Sequence, residues 1–340
     1  MKEKQLQWGV IGTGAIAHDF ALALGASERC RIVHVTSSSG RAAAFASQYG
    51  VRRASESLEE LLGDGEVEAV YVATPHPLHE HQALAAIAAG KHVLIEKPMA
   101  TSAAGAQRIV DAARQRRVLA MEAYMYRCHP LLTEVISHVR AGEIGQLRHV
   151  RADFGFRAPR RPESRLFAPE QAGGGILDVG GYPVSLARLM AGVAVGKPSA
   201  EPSQLTASGQ IGPTGVDELA QASLRFESGM TAEVACAIHH DLGCMATLFG
   251  DEGRIRIEDP WLPGGQRQGL ESHFTLERDG AETEQVTVSI PRAIYALEAE
   301  LVADSLPALE PLWPAMTWSD SIANLRVLDT WRAALGLPPL

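Results

Sequence analysis

The sequence predicts an α/β protein in which a doubly wound parallel sheet of Rossmann type precedes an α+β region built on a large, mostly antiparallel open sheet. Three observations carry this expectation. A glycine turn, Gly12-Thr13-Gly14-Ala15-Ile16-Ala17, follows a short apolar strand and opens a helical pattern. Strand and helix patterns then alternate as far as Tyr124. Beyond Gly145 the apolar residues recur at period two instead, the signature of half-buried strands.

Taken in order, residues 6–11 form the first strand, and the turn after it has the spacing G-x-G-x-x-A. That spacing needs one glycine for the tight turn, one for close backbone approach to a pyrophosphate, and a small third residue so that helix and strand pack. Gly12, Thr13, Gly14, Ile16 and Ala17 are therefore the first cofactor-binding candidates, with a helix amino end facing the phosphates. Residues 31–36 read as a strand, 41–49 and 57–62 as helices, 67–73 as a strand and 78–89 as an alanine-rich helix. Residues 91–95 are the next strand, 103–115 a helix and 118–122 the last strand, which makes a parallel sheet of roughly six strands.

The second region reads as strands at 147–156, 204–211, 219–226, 230–239, 245–249, 253–258 and 273–277, interrupted by helices near 177–190 and 294–303. A final helix, 319–335, spaces Ile322, Leu325, Leu328 and Trp331 along one face. The expected division is a dinucleotide-binding domain at 1–124, a substrate-binding and oligomerisation domain at 125–318, and a terminal helix at 319–340 packing back on the first domain. No internal repeat or low-complexity segment is visible.

Composition narrows the function. A length of 340 residues suggests about two domains. With a net charge of −9 and no basic block interleaved with aromatics, nucleic acid is not an expected partner. The one basic cluster, Arg157, Arg160, Arg161 and Arg165, reads as a mobile, solvated loop. No run of about eighteen apolar residues exists and the chain enters a strand within a few residues of Met1, so neither a membrane span nor a signal peptide is expected, and the cytoplasm is the expected location. Cys30, Cys128, Cys236 and Cys244 lack C-x-x-C spacing and read as scattered reduced thiols. His76, His79 and His81 lie close together, but Pro77 and the lack of a matching carboxylate-histidine set argue against zinc, so no metal is expected.

Glu96-Lys97-Pro98 closes the apolar strand 91–95, and strand carboxyl ends are where open α/β sheets bind ligands. A lysine there is poorly explained by packing alone. The cofactor type is read from the second strand, where NAD-specific domains place an acid about 20 residues beyond the glycine turn. Here the stretch is Val35-Thr36-Ser37-Ser38-Ser39-Gly40-Arg41, with no acid. The hydroxyls of Ser37 and Ser38 and the guanidinium of Arg41 suit a 2′-phosphate, so NADP is favoured over NAD.

With the glycine turn, Glu96-Lys97-Pro98 and Gly173-Gly174-Gly175-Ile176-Leu177-Asp178-Val179-Gly180-Gly181-Tyr182 in view, the whole chain resembles the Gfo/Idh/MocA oxidoreductases. The segment 121–130, with Arg127 inside it, and the tyrosine at 182 are similar to the branch of dihydrodiol dehydrogenases and NADP-dependent aldose dehydrogenases. The resemblance implies that Lys97 points at a substrate hydroxyl or carbonyl, that Pro98 follows a cis bond, and that Tyr182 is the acid/base with Asp178 orienting substrate. Asp178 and Tyr182 are four apart on a predicted helix and so share a face. A phenol with an ordinary pKa near 10 is a poor base, so a neighbouring ammonium has to lower it. Gly180 and Gly181 each weaken that helix by about 1 kcal/mol, a cost explained if backbone approaches a ligand closely. Thr74-Pro75-His76-Pro77-Leu78-His79 resembles the family's T-P-N-x-x-H segment, which implies that Thr74, Pro75, His76 and His79 lie near the cofactor, together with Glu96. Arg127, Phe154 and Phe156 are further substrate candidates. The implied function is hydride transfer between nicotinamide and a secondary hydroxyl or carbonyl of a sugar, polyol or trans-dihydrodiol, in a homodimer or tetramer. The alternative is a cofactor-sensing or scaffold member without catalysis.

Overall fold

A computed structural model describes residues 5–264 and 269–340, and the contacts divide the chain into two units. One comprises the chain up to Ala100, Ala104–Cys128 and Pro291–Ser321; the other comprises Thr101–Ala103, His129–Ile290 and Ile322–Leu340.

The first unit is a six-stranded, wholly parallel sheet of β1 (Leu6–Ile11), β2 (Cys30–Thr36), β3 (Arg53–Ser55), β4 (Ala69–Val72), β5 (His92–Glu96) and β6 (Ala120–Ala123). Its order is β3-β2-β1-β4-β5-β6, the doubly wound arrangement whose strand order reverses between β1 and β4. Helices α1 (Ala15–Leu24), α2 (Ala42–Tyr49), α3 (Leu58–Gly63), α4 (His76–Ala88) and α5 (Ala103–Arg116) make the crossovers. The strands are buried along almost their whole length because helices cover both faces, so they read as continuous apolar runs. Trp8 meets Phe20 edge-on at 5.5 Å, and Phe20 stacks on Tyr71 at 4.1 Å, which joins β1, α1 and β4. Each such pair adds about 0.5–1.5 kcal/mol beyond its buried area.

The second unit is an eight-stranded sheet of β7 (Leu147–Arg157), β8 (Pro202–Ile211), β9 (Asp217–Phe226), β10 (Thr231–Ala237), β11 (His239–Gly250), β12 (Gly253–Glu258), β13 (Glu271–Arg278) and β14 (Glu284–Ser289). Its order is β14-β13-β12-β11-β7-β10-β9-β8, antiparallel except where β10 runs parallel to β7. Helices α6 (Pro130–Arg140) and α7 (Gly181–Val193) belong to this unit, and α7 packs on β7 and β10. It is buried along its entire length, and its one charged side chain, Arg188, pairs with Glu201 at 2.8 Å.

Contacts group the segments differently from the linear division at 124 and 318. Helix α8 (Ile294–Ser305) returns to the first unit because Ile294, Tyr295, Ala299 and Val302 complete the apolar cluster around Trp8, Phe20 and Leu24. Helix α9 (Trp318–Ala334) passes from one unit to the other, and its part beyond Ser321 groups with the second. Trp331, fully buried, is one of two side chains that a Cβ at Gly180 would meet, and Asn324 Nδ2 donates to Gly181 O at 3.3 Å. Strands β3 and β14 and helix α6 were not marked by the apolar pattern. Cys236 and Cys244 sit opposite Phe154 on β10 and β11, with β7 between them, and all four cysteines are free thiols. No helix among the described residues is long and apolar enough to cross a membrane.

Candidate active site

The residues read from the sequence fall into a cofactor group in the first unit and an acid/base group in the second. In the first, Gly12 has φ +103° and donates its N–H to Thr36 O at 2.8 Å, and a Cβ there would lie 2.6 Å from Ala73 O. Only glycine fits, because the obstacle is the backbone of the neighbouring strand end. Gly14 is the opposite case: a Cβ would meet no protein atom within 4 Å, and no side chain caps the start of α1. A helix amino end left open in this way is suited to a phosphate, so the turn fits the pyrophosphate of a dinucleotide. Ala17 is fully buried and Ile16 half-buried, so these two pack the helix rather than present polar groups.

Thr13 Oγ1 donates to Ser37 Oγ at 3.1 Å, Ser37 Oγ lies 2.8 Å from Ser39 Oγ, and Arg41 Nε donates to Ser39 Oγ at 2.9 Å. These bonds tie the glycine turn to the loop after β2. Ser38, Ser39 and Arg41 are exposed there, with no acidic side chain between Val35 and Arg41. The loop therefore offers hydroxyls and a guanidinium where a ribose-binding acid would otherwise stand.

At the carboxyl end of β5 the Lys97–Pro98 peptide is cis. Lys97 is half-buried, while Glu96 turns into the core, accepting from Tyr71 Oη at 2.5 Å and from Lys97 N at 3.3 Å. His79, completely buried, places Nδ1 2.8 Å from Pro98 O and Nε2 2.7 Å from Thr74 O. It thus fastens the E-K-P turn to the turn at Thr74, whose hydroxyl donates to Gln82 at 2.6 Å. His76 is also buried, its ring 5.8 Å from that of His79, and Pro75 is exposed.

Arg127 has another occupation than the one expected of it. It is 1% exposed, and Nη2 pairs with Asp320 at 2.8 Å, Nε donates to Pro314 O at 2.6 Å and Nη1 to Met316 S at 3.4 Å. All three partners lie in the segment that returns to the first unit, so the guanidinium is a staple between the 3-10 turn Met125–Cys128 and the 314–320 stretch.

In the second unit the turn Ile176–Gly180 is π-helical and leads directly into α7. π turns inside helices are frequent at functional sites. Asp178 lies in that turn and Tyr182 in the first turn of α7, both almost wholly buried. Asp178 Oδ1 accepts from Arg165 Nη1 at 2.8 Å, and Arg160 is bound through two nitrogens to Glu218 at 2.8 and 2.5 Å. Two arginines of that loop are thus paired with carboxylates, while Arg157, Arg160, Arg161 and Arg165 all remain exposed to solvent. Gly180 is small for a different reason than ligand approach, since a Cβ would lie 3.2 Å from both Cys236 Sγ and Trp331.

Tyr182 lies in an aromatic group. Its ring is 5.2 Å from Phe154 and 5.8 Å from Trp261, and Phe154 and Trp261 are near-parallel at 6.1 Å. Trp261 is buried and donates Nε1–H to Asp153 O at 2.9 Å, which fixes its plane. The sequence reading missed Trp261; a tryptophan beside Pro260 in a strand-flanking turn was the only signal. Phe156 meets Phe154 edge-on at 6.5 Å and also packs on the small cluster of Phe167, Val216 and Ile238. Among the described residues no group of three metal-ligating side chains is placed to hold an ion.

The fold and these motifs define an oxidoreductase with a dinucleotide-binding Rossmann domain. Residues 6–124 match the family model described as the oxidoreductase family with an NAD-binding Rossmann fold, and residues 133–256 match the GFO/IDH/MocA C-terminal domain. The chain belongs to the Gfo/Idh/MocA oxidoreductase family. It is 36% identical to trans-1,2-dihydrobenzene-1,2-diol dehydrogenase of Mus musculus over 76% of each chain, and 34% identical to the Sus scrofa enzyme of that name over 98% of this chain and 97% of the other. Among solved structures it is similar to KijD10, a 3-ketoreductase from Actinomadura kijaniata in complex with NADP and TDP-benzene, at TM-score 0.83, 26% identity and 98% coverage of both chains. It is also similar to the aldose-aldose oxidoreductase from Caulobacter crescentus complexed with glycerol, at TM-score 0.84, 25% identity and 97% coverage of both.

Proposed function

We propose that the protein is an NADP-preferring dehydrogenase or reductase that interconverts a secondary hydroxyl and a carbonyl in a sugar, polyol or trans-dihydrodiol. The observation that carries this reading is Tyr182: a buried phenol in the same helical segment as Asp178, walled by Phe154 and Trp261. Flat aromatic walls suit either the ring of a dihydrodiol or the C–H face of a pyranose. The dihydrodiol dehydrogenases and the 3-ketoreductase among its relatives support the same class.

Nicotinamide, when bound, supplies the hydride acceptor or donor at the carbinol carbon, and the redox chemistry is the cofactor's. The protein's part is proton handling and orientation. In the oxidising direction Tyr182 Oη takes the hydroxyl proton, the positive charge of Lys97 steadies the oxygen as it loses that proton, and the product is a ketone with one proton released. Asp178, its carboxylate held by Arg165, orients the substrate hydroxyls. Gly12, Thr13 and Gly14 hold the pyrophosphate, and Ser37, Ser38 and Arg41 receive the 2′-phosphate. Glu96, Thr74, Pro75, His76 and His79 shape the nicotinamide side. A homodimer is the assembly we assign, through the outward face of the large sheet, where Thr206, Ser208, Gln221 and Ser223 alternate toward solvent.

The test is NADP⁺ and NAD⁺ reduction across aldoses, inositols and a trans-dihydrodiol. Turnover with NADP⁺ on at least one of these supports the reading; cofactor binding without turnover on alcohols or on the matching ketones replaces it with a cofactor-sensing role.

A further inference from the structure

We infer that Asp217 is a positioning residue: its carboxylate clamps the turn that carries Asp178 and Tyr182, and losing its charge disengages that turn. The inference rests on the assignment of Tyr182 as the acid/base. Asp217 opens β9, 41 positions beyond Ile176 in sequence, and is completely buried. Its Oδ2 accepts the N–H of Ile176 at 2.6 Å, and the N–H of Gly175 is directed at the same carboxylate. Gly174, at φ +114°, lies so close that a Cβ there would overlap Asp217 Oδ1. On its other side the glycine run is fastened by Gly173 N–H to Ala168 O at 3.1 Å and Gly174 N–H to Leu166 O at 2.9 Å. Asp178 N–H bonds Gly174 O at 3.1 Å. The turn gripped by Asp217 is therefore the turn from which Asp178 projects, and Tyr182 follows one turn later.

Charge makes this clamp titratable. Around the carboxylate stand Arg332 from α9, with Nη1 3.9 Å from Oδ1, Asp329 beside Arg332, Asp178 itself, and the thiol of Cys236 on β10. Glu218, the next residue, is turned away to Arg160. At 3.9 Å the arginine is too far for a hydrogen bond, and Oδ1 has no hydrogen-bond partner. Burial therefore outweighs the backbone N–H groups and Arg332, and lifts the Asp217 carboxyl to about 6. Protonation at mildly acidic pH removes the charge that strengthens both backbone bonds. The geometry of the acid/base group is then lost while the first unit keeps its cofactor.

The experiment measures kcat and kcat/KM of the full chain between pH 5 and 9 for the wild type, Asp217→Asn and Arg332→Met, with Tyr182→Phe in parallel. Asparagine keeps the shape and an acceptor for Ile176 N–H but cannot ionise. The wild type is expected to show an acid limb centred near 6. In Asp217→Asn the limb disappears and kcat sits about tenfold low across the range, the equivalent of one weakened charge-assisted bond, with NADP binding unchanged. Arg332→Met, which leaves the carboxylate in place without its nearest cation, moves the limb to higher pH. An unmoved limb in both variants overturns the inference, including the case in which Asp217→Asn lowers only the urea midpoint, which would make Asp217 merely structural. Should Tyr182→Phe retain turnover, the assignment of Tyr182 fails independently of Asp217.

Discussion

Replacing Arg127 separates a structural staple from a substrate contact. The side chain is wholly enclosed, with Nη2 2.8 Å from Asp320 Oδ2 and Nε 2.6 Å from Pro314 O. Arg127→Ala leaves Asp320, 3% exposed, as a buried charge without its counter-ion and leaves the Pro314 carbonyl without that donor. Breaking a buried pair from one side costs about 3–5 kcal/mol, a large fraction of the stability of an ordinary domain. Arg127→Met combined with Asp320→Asn removes both charges and should cost clearly less, because no uncompensated charge remains. The assay is urea unfolding followed by tryptophan fluorescence, paired with KM determined well below the unfolding midpoint. A large drop in midpoint with KM within about twofold of wild type is the expected outcome, since a loss of uniform binding would appear in KM. A midpoint equal to wild type with KM raised more than about tenfold would refute the reasoning and return Arg127 to the substrate site.

Two further predictions concern single side chains. Burial lifts the Glu122 carboxyl to about 7, against an unfolded value near 4.5. A folded-state pKa raised in this way contributes stability that is complete below the unfolded value and is lost as pH rises through the folded one, so the wild type should weaken between about pH 4.5 and 7 relative to Glu122→Gln, by up to ~3 kcal/mol. Urea midpoints of the two proteins across that range check it, and parallel curves would contradict it. Arg41→Ala should raise KM for NADP⁺ about tenfold, the worth of one exposed charge-assisted phosphate contact, and leave NAD⁺ almost unchanged; equal effects on both cofactors would remove Arg41 from the 2′-phosphate site.

Much of the first unit was legible because its signals are local. The glycine turn, the buried apolar runs and the helix patterns each occupy a few consecutive residues, and β1-turn-α1 places Gly12 and Gly14 as the fingerprint requires. Strand β3 escaped because three residues, Arg53–Ser55, carry no period. Strand β14 escaped because Glu284–Ser289 is an edge strand with exposed residues on one face and only half-buried ones on the other. Helix α6 begins at Pro130, directly after His129, whose imidazole caps it by accepting from Leu131 N; in sequence that stretch reads as the end of the 121–130 motif and not as a helix start.

What the sequence could not show is long-range pairing. Nothing local tells that Arg165 reaches Asp178 or that Arg127 meets Asp320, 193 residues away. The same holds for Trp261, which joins Tyr182 only because β11, β12 and β7 bring its turn beside Phe154. Gly180, which with Gly181 reads as a mark of ligand approach, is crowded by protein atoms instead, Cys236 Sγ and Trp331, and at Gly174 a Cβ would overlap Asp217. A glycine in sequence reports that space is short and not what fills it.

The central claim, hydride transfer with Lys97 and Tyr182 handling charge and proton, is tested most directly by nicotinamide absorbance during oxidation of the best substrate from the panel. Wild type, Lys97→Ala and Tyr182→Phe are compared at equal cofactor occupancy. The account predicts NADP⁺-dependent turnover in the wild type and a loss of at least about a hundredfold in each variant, with cofactor affinity retained. Near-wild-type rates in both variants would contradict it.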